Sequence, residues 1–370
     1  MYKRILCPLA CALMFLLLVS GLAFAGPNVT PGGPFLTEPT TQHDFLDAFT
    51  DYEQLVTRIE QIEQTSNGRV KFEVIGQSNQ GRDIFMGVVG EGDKNVLIHT
   101  QQHGNEPHGT EAALRLLQAL GSNNSPTFRQ IRKELTVHIV PRVNPDGAEP
   151  DVFHRFNVDP DAPARDTSVG FWTSWQEGVG WDINRYHWFD WEDSDLYANH
   201  PNDYPENPVP EAQALVDATK AVDPEWTIDF HNQGSYSSPD GKMVTSSIMW
   251  PNHPDVPEDA VKLSKQLCVA MMDQMNQYGY AEVTRYPGSA IPNIARNAYG
   301  LEGMGSVLVE IRGGIGHKSI GMLVQHSYEQ MLVMLEKTSD GSLYELDPAR
   351  IDEELPERGT SIGAYGPYIE

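Results

Sequence analysis

The stretch Asn95-Val96-Leu97-Ile98-His99-Thr100-Gln101-Gln102-His103-Gly104-Asn105-Glu106-Pro107 decides the fold. Asn95 to His99 is a short apolar run, read as a strand, and it passes without a break into polar residues. From Pro107 to Leu120 the residues Ala112, Ala113, Leu116, Leu117 and Leu120 fall on one face of a helix. Strand, polar turn and helix in that order form a unit of α/β sheets, where groups at the carboxyl end of a strand are placed to meet a ligand. His103 and Glu106 stand at that point, three residues apart, so one turn can aim an imidazole and a carboxylate at one ion. The pair alone is a weak motif, because a zinc site open to water needs a third protein ligand.

Working outward, the spacing of Phe45, Phe49, Tyr52, Leu55, Ile59 and Ile62 predicts a helix from about His43 to Gln64, stopped by Asn67-Gly68. Val70 to Ile75 alternates as a strand, with Arg82 to Val89 as its partner. Leu135 to Pro141 reads as a strand ending at the turn Asn144-Pro-Asp-Gly147. From Glu149 to Tyr204 no periodicity holds; the segment is dense in Asp, Pro and Trp and reads as a long folded loop, a type that often carries function. Further on, helices are expected over Glu211 to Val222, Pro257 to Tyr278 and Ser319 to Leu335. Strands are expected over Trp226 to His231, Met243 to Trp250 and Gly305 to Ile311. The alternation indicates one α/β domain with a central mixed, mostly parallel sheet flanked by helices. Its expected limits are residues 42–337, after an exposed lead-in over 26–41 and before a peripheral C-terminal tail over 338–370.

Residues 1–25 read as a separate object. Lys3 and Arg4 precede an apolar run from Ile5 to Val19, and Ala23-Phe24-Ala25 offers a cleavage site, the pattern of a removed signal peptide. The expectation is a secreted protein, extracellular or periplasmic, with no membrane span after signal removal. Cys7 and Cys11 leave with the leader, so Cys268 stands alone in an expected helix, and no intramolecular disulfide can form in the mature chain. The net charge of −25 becomes −27 once Lys3 and Arg4 are gone, which argues against nucleic acid or anionic lipid as a partner. A hydrophobic content of 40% is ample for a sizeable core.

Two more residues complete a candidate constellation. His231 closes the strand Trp226 to Phe230; on its own it would read as a hydrogen-bonded core histidine, but beside His103 and Glu106 it supplies the missing ligand. Glu310 lies late in the apolar strand Ser306-Val-Leu-Val-Glu-Ile311. A carboxylate buried there is costly unless it has a partner, for which Arg312 is available, or a chemical task.

With these residues in place the chain resembles the zinc carboxypeptidase family, the carboxypeptidase A-like metallopeptidases, over roughly residues 45 to 335. The resemblance rests on seven short pieces in order: Ile75-Gly-Gln-Ser78 with Gly81-Arg82, His103-Gly-Asn-Glu106-Pro107, Val143-Asn-Pro-Asp-Gly147, Asp182-Ile-Asn-Arg185, Pro210-Glu-Ala-Gln-Ala-Leu215, Asp229-Phe-His231 and Val309-Glu-Ile-Arg312. It implies one Zn²⁺ ion on His103, Glu106 and His231, and Glu310 as the general base that takes a proton from a zinc-activated water. It implies that Asn184 and Arg185 bind the free C-terminal carboxylate of a peptide substrate, and that Asp182 accepts the second N–H of His103. The family's oxyanion-stabilising arginine is best matched by Arg155, with Arg165 as competitor, and its substrate-capping tyrosine by Tyr286, better than by Tyr299.

The departures point to a bacterial-type branch. Asn105 stands where the digestive enzymes carry Arg, residues 158 to 181 with Trp172, Trp175 and Trp181 look like an insertion, and the span from Ala25 to Tyr52 is too short for a digestive pro-domain. The leading expectation is a metallocarboxypeptidase. A zinc deacylase or amidase acting on acyl-amino acids or cell-wall peptides is the alternative, and a non-catalytic binding module is disfavoured because all four residues of the metal and base set are present.

Overall fold

The computed structural model describes residues 48–313 and 317–362. The expected signal peptide, the lead-in, Phe45 and the last eight residues lie outside the described residues. Eight strands form one mixed sheet in the order β1-β2-β4-β3-β5-β8-β6-β7: β1 Val70–Gln77, β2 Asp83–Gly90, β3 Lys94–Thr100, β4 Leu135–Val140, β5 Trp226–Gln233, β6 Ser246–Met249, β7 Val283–Arg285 and β8 Gly305–Arg312. The central strands β4, β3, β5 and β8 run parallel. The hairpin β1–β2 adds antiparallel at one side, and β6, antiparallel to β8, carries β7 at the other.

Around the sheet pack α1 Tyr52–Thr65, α2 His108–Ser122, α3 Pro126–Glu134, α4 Asp195–Asn199, α5 Pro210–Val222, α6 Glu258–Met275, α7 Ala295–Leu301, α8 His317–Asp340 and α9 Arg350–Glu354. Every residue of β5 and β8 is buried, as strands covered on both faces must be. Side chains alternate between faces. Val96 and Ile98 of β3, Trp226, Ile228 and Phe230 of β5, and Val307, Val309 and Ile311 of β8 pack into the core formed with α2, α6 and α8. Leu97 belongs to the second core, with Leu215 and Val216 of α5, Trp181, Ile183 and Tyr299. The period of two therefore sends His231 and Glu310 to the side opposite the first core, and the parallel register sets them directly beside one another.

Several boundaries depart from expectation. The first helix begins at Tyr52, because Asp51 accepts a hydrogen bond from the Gln54 N–H while the Gln54 side chain accepts one from Asp51, a reciprocal cap that fixes the start. Phe49 precedes that cap and packs edge-on to His108. Helix α3, strand β7 and helix α7 were not expected; each is short, and β7 and α7 lie between loops without a long periodic run. The long segment over 149–204 is a folded loop, holding only α4, two 3₁₀ turns over Ile183–Arg185 and Trp191–Asp193, and isolated bridges such as Thr173 with Trp181.

The segment after Thr338 was expected to be peripheral, but Leu343, Ile351 and Leu355 are buried in the main core and Arg350 grips Asp273 of α6 with two bonds of 2.8 and 2.9 Å. Its apolar residues are spaced too widely to show a helical pattern. The chain then returns to the sheet edge, where Arg285 N–H donates to Pro356 and Tyr236 bridges Ser361. Cys268 is free and buried in α6. No described helix is long and apolar enough to cross a membrane.

Candidate metal centre and cleft

The turn after β3 is shaped by its own side chains. Gln101 has a left-handed φ of 55°, which a residue with a Cβ adopts only when its surroundings hold it there. Its Nε2 donates to the Gly104 carbonyl at 2.7 Å and its Oε1 accepts from Arg142 Nε at 2.8 Å and from Thr110 Oγ1. Behind it lies the Asn144-Pro-Asp-Gly147 turn. Asn144 Nδ2 donates to the carbonyls of Gln102 and Phe156, and its Oδ1 accepts from the Gly147 N–H. Asp146 in turn is held by Ser78, the Gln80 N–H and Arg82, so the Ser78 to Arg82 hairpin bend braces the turn that braces the site.

The result is a tight meeting of three side chains. His103, Glu106 and His231 are buried, and each offers an atom within 4.8 Å of the other two. His103 Nδ1 lies 2.8 Å from Glu106 Oε1, His231 Nδ1 lies 2.7 Å from Glu106 Oε2, and the two Nδ1 atoms stand 3.0 Å apart. The opposite nitrogens are engaged: His103 Nε2 with Asp182 Oδ1 at 3.1 Å, and His231 Nε2 with Asp229 Oδ2 at 2.7 Å. An imidazole that donates its Nε2–H to a carboxylate presents a lone pair at Nδ1. Two such lone pairs and a carboxylate then face one point, an arrangement that repels itself unless a positive charge is shared there. Two imidazoles and one carboxylate also match the donor set of catalytic zinc sites, so the residues fit that ion.

The electrostatics agree with this fit. Burial opposes ionisation of Glu106, yet His103 and His231 hold its carboxyl well below the usual range. Burial works against a charged His231, but Asp229 and Glu106 outweigh it and raise the imidazole well above its ordinary value. Asp182 likewise pays for burial but is held well below the usual carboxylate range by Arg155, Arg185 and His103.

A cavity of about 350 Å³ opens onto this centre and brings together every other expected site residue except Asp182, which stands behind His103. Glu310 lines it, pushed up to about 6 by burial with Glu106 adding to the rise and the imidazoles opposing it. Among the described residues Glu310 makes neither a hydrogen bond nor an ion pair; the pairing with Arg312 does not occur. Arg155 lines the cavity with Nε and NH2 on Asp182 Oδ2 at 3.1 and 2.9 Å, and its backbone carbonyl receives the Gly104 N–H. Arg165 is not among the lining residues; it lies over the rings of Trp172 and Trp175. Asn184 Oδ1 accepts from the Ala295 N–H and its Nδ2 sits 3.1 Å from His231 Nε2. Arg185 projects into the cavity over Trp172, so part of the Trp-rich segment over 158–181 forms its backing. Tyr286 lines the cavity, its phenol raised by the Glu310 charge and by burial. Tyr299 is fully buried and bonded to His187 instead.

Four residues here were not singled out from the sequence. Asp229 supports His231 and also bonds Gln102 Nε2; its place two residues before His231, on the same face of one strand, was a readable signal. Asn232 sends its N–H to Glu106 Oε2 at 3.0 Å. Arg296 and Arg358 line the cavity from α7 and from the segment after α9, and nothing in local sequence pattern connects either to the site.

Comparison with known proteins agrees with the geometry. The zinc carboxypeptidase family model matches residues 55–331. A zinc carboxypeptidase of Saccharothrix mutabilis subsp. capreolus is 26% identical over 166 residues, 40% of this chain and 35% of its own. The gamma-D-glutamyl-L-diamino acid endopeptidase 1 of Lysinibacillus sphaericus is 27% identical over 205 residues, half of each chain. These alignments thus span half or less of the curated relatives' length. The carboxypeptidase A of Helicoverpa armigera superposes with a TM-score of 0.60 at 16% identity, over 83% of this chain and 81% of its own, a likeness of fold. With the family model matching most of its length and the motif residues gathered in one cleft, the chain belongs to the zinc carboxypeptidase family.

Proposed function

We propose that the protein is a zinc metallocarboxypeptidase that hydrolyses the C-terminal peptide bond of peptides carrying a free terminal carboxylate. The observation that carries this reading is the placement of Asn184 and Arg185 in the same cavity as the His103–Glu106–His231 cluster and the unpartnered Glu310. His103 Nδ1, the Glu106 carboxylate and His231 Nδ1 would hold one Zn²⁺. Bound zinc supplies a polarised scissile carbonyl and a more acidic water. Glu310 would act as general base at its carboxylate oxygens, and a pKa of about 6 leaves it charged at neutral pH yet able to pass the proton on to the leaving amine. Arg155, held by Asp182 at the cavity wall, would face the oxygen that gains charge, while Arg185 and Asn184 would orient the substrate through its carboxylate. Tyr286 would cover the bound residue. The leader over 1–25 makes this an exported enzyme in the same reading.

A second reading has one specific support: the L. sphaericus relative is by its name an endopeptidase acting at gamma-D-glutamyl-L-diamino acid linkages. An amidase acting on acyl-amino acids or cell-wall peptides would use the same centre. Hydrolysis of N-blocked dipeptides, N-acyl-amino acids and cell-wall peptides by one purified sample separates the two. Carboxypeptidase action predicts release of single C-terminal residues, abolished by a chelator and restored by zinc. Glu310→Gln should retain one zinc per chain by metal analysis and lose turnover by roughly 10²–10⁴-fold. Wild-type rates from that variant would remove Glu310 from the mechanism.

A further inference from the structure

Four arginines line the cleft of a chain whose net charge is −25: Arg155, Arg185, Arg296 and Arg358. Only Arg155 has an acidic partner, Asp182; among the described residues no carboxylate pairs with the other three. Arg296 is the unusual one. It sits in the first turns of α7, is 1% exposed, and its guanidinium spends two hydrogen bonds from NH2, one to Asn252 Oδ1 at 2.9 Å and one to the Ser289 carbonyl at 2.7 Å. Nε is buried with no partner, and NH1 makes no hydrogen bond among the described residues. Burial pulls its pKa down to about 10, with Tyr286 opposing and Arg185 adding to the fall, so it is charged at neutral pH. A buried, charged guanidinium with free donors and no counterion is costly, and proteins rarely keep one without a ligand that completes it.

The neighbourhood of Arg296 is built for close approach. Gly288 lies against it; a Cβ there would fall 2.5 Å from NH1. Arg358 reaches the same cavity from the C-terminal segment, donating NH1 to Gln233 Oε1 at 2.8 Å and lying 3.8 Å over the Tyr236 ring and 4.7 Å over the Tyr286 ring. The Tyr286 ring thus lies against one unpaired arginine in a cavity lined by two others.

Resting on the carboxypeptidase reading, we propose that the cleft selects substrates whose C-terminal residue has an acidic side chain, with Arg185 engaging the terminal carboxylate and Arg296 the side-chain carboxylate. A C-terminal glutamate or aspartate brings two negative charges into a cavity that holds unpaired guanidinium groups; with NH2 of Arg296 engaged by Asn252 and Ser289, its NH1 is the donor left to meet the side-chain carboxylate by a charge-assisted bond. A side chain that leaves the Arg296 donors unfilled forfeits those bonds and keeps the uncompensated charge, which is the stronger part of the discrimination. Arg358, at the cavity rim, adds positive potential without being fully desolvated.

The test uses the zinc-loaded protein and matched N-blocked dipeptides ending in Glu, Gln, Leu or Lys. Expected is a kcat/KM for Glu at least about 100-fold above that for Gln, the isosteric neutral side chain, with Lys the poorest. Arg296→Gln should collapse the Glu-to-Gln ratio to within about threefold, chiefly through KM for the Glu substrate. The wild-type ratio needs no variant, so the proposal stays falsifiable if Arg296→Gln fails to fold. Equal turnover of Glu and Gln or Leu substrates by the wild-type protein overturns it while leaving the carboxypeptidase reading intact. Calorimetric binding of N-acetyl-glutamate against N-acetyl-glutamine separates the two ideas: preferential binding of the dicarboxylate without peptide hydrolysis supports the acidic subsite and overturns the carboxypeptidase reading. Equal binding of the two ligands together with equal turnover overturns the subsite.

Discussion

Each imidazole of the candidate metal centre is gripped from behind by a carboxylate, and that grip sets which nitrogen faces the shared point between them. Asp182 does this for His103 and Asp229 for His231; despite burial both carboxyls are held well below the usual range, Asp182 chiefly by Arg155 and Arg185 and Asp229 by the neighbouring imidazoles. Replacing Asp182 by Asn keeps the shape but removes the charge that favours the Nε2–H tautomer of His103. Zinc affinity should drop about 10- to 100-fold in a competitive chelator titration, and an unchanged affinity would assign Asp182 to orienting Arg155 alone. At this scale the sequence was informative wherever a polar residue interrupted an apolar strand or closed one. His103, His231 and Glu310 stand out on that ground. Arg296 does not, because a charge in the run Ile294-Ala-Arg-Asn-Ala-Tyr299 looks like any exposed helical arginine until the fold buries it. Its missing counterion is a fact of three dimensions.

Between residues and fold, the working unit is a pair of turns. Gly104 lies between His103 and Glu106 of the candidate metal centre and packs on Gly147 so closely that a Cβ would fall 2.0 Å from the Gly147 carbonyl carbon, backbone that cannot swing aside. Gly104→Ala should therefore separate the two turns and displace Glu106. Expected is a folded protein, with far-ultraviolet circular dichroism near wild type, that holds substoichiometric zinc and loses most of its activity. Full zinc occupancy in that variant would show that the turns can part without consequence. The motif Asn144-Pro-Asp-Gly147 was legible as a turn, but its task as a buttress was not, since that depends on Asn144 reaching the Gln102 carbonyl from a strand end 42 residues away. Among the elements missed from sequence, β7, α7 and the segment after α8 share a reason: each is too short or too sparsely apolar to show a period, and the last is held by long-range contacts such as Arg350 with Asp273. The central parallel strands were easier to read for the opposite reason: β8 carries the apolar run Val307 to Val309, and β5 sets Trp226, Ile228 and Phe230 at a strict period of two, with both strands buried along their whole length.

For the molecule as a whole, the two faces of the sheet divide the labour: one buries the large apolar core, the other carries the His103–Glu106–His231 cluster, Glu310 and the cleft. Buried histidines away from the cleft tie the stability of this arrangement to pH. His326 is held by Ser246 Oγ at 2.8 Å beside the uncompensated Arg312, and burial, with Arg312 adding to it, pulls its pKa down to about 3. His138, on β4 near Asn95, is pulled down to about 4 by burial. An unfolded imidazole protonates near 6.5, so as pH falls below that value the unfolded chain binds protons that the folded chain refuses. Each histidine then removes about 1.4 kcal/mol of stability per pH unit until its own folded pKa is reached. Carboxyls raised by burial act in the opposite direction over part of this window, Glu310 at about 6 and Glu211 at about 7 among them, so the wild-type slope is a balance of both. The His326→Gln variant isolates one contribution, because every other group titrates alike in the two proteins. Denaturant unfolding at pH 7, 6 and 5 should show the wild-type protein losing more stability per unit than the variant, by about 1.4 kcal/mol below pH 6.5. Parallel slopes would mean that His326 is protonated within the fold, and that water or a rearranged partner reaches the helix-packed side of the sheet.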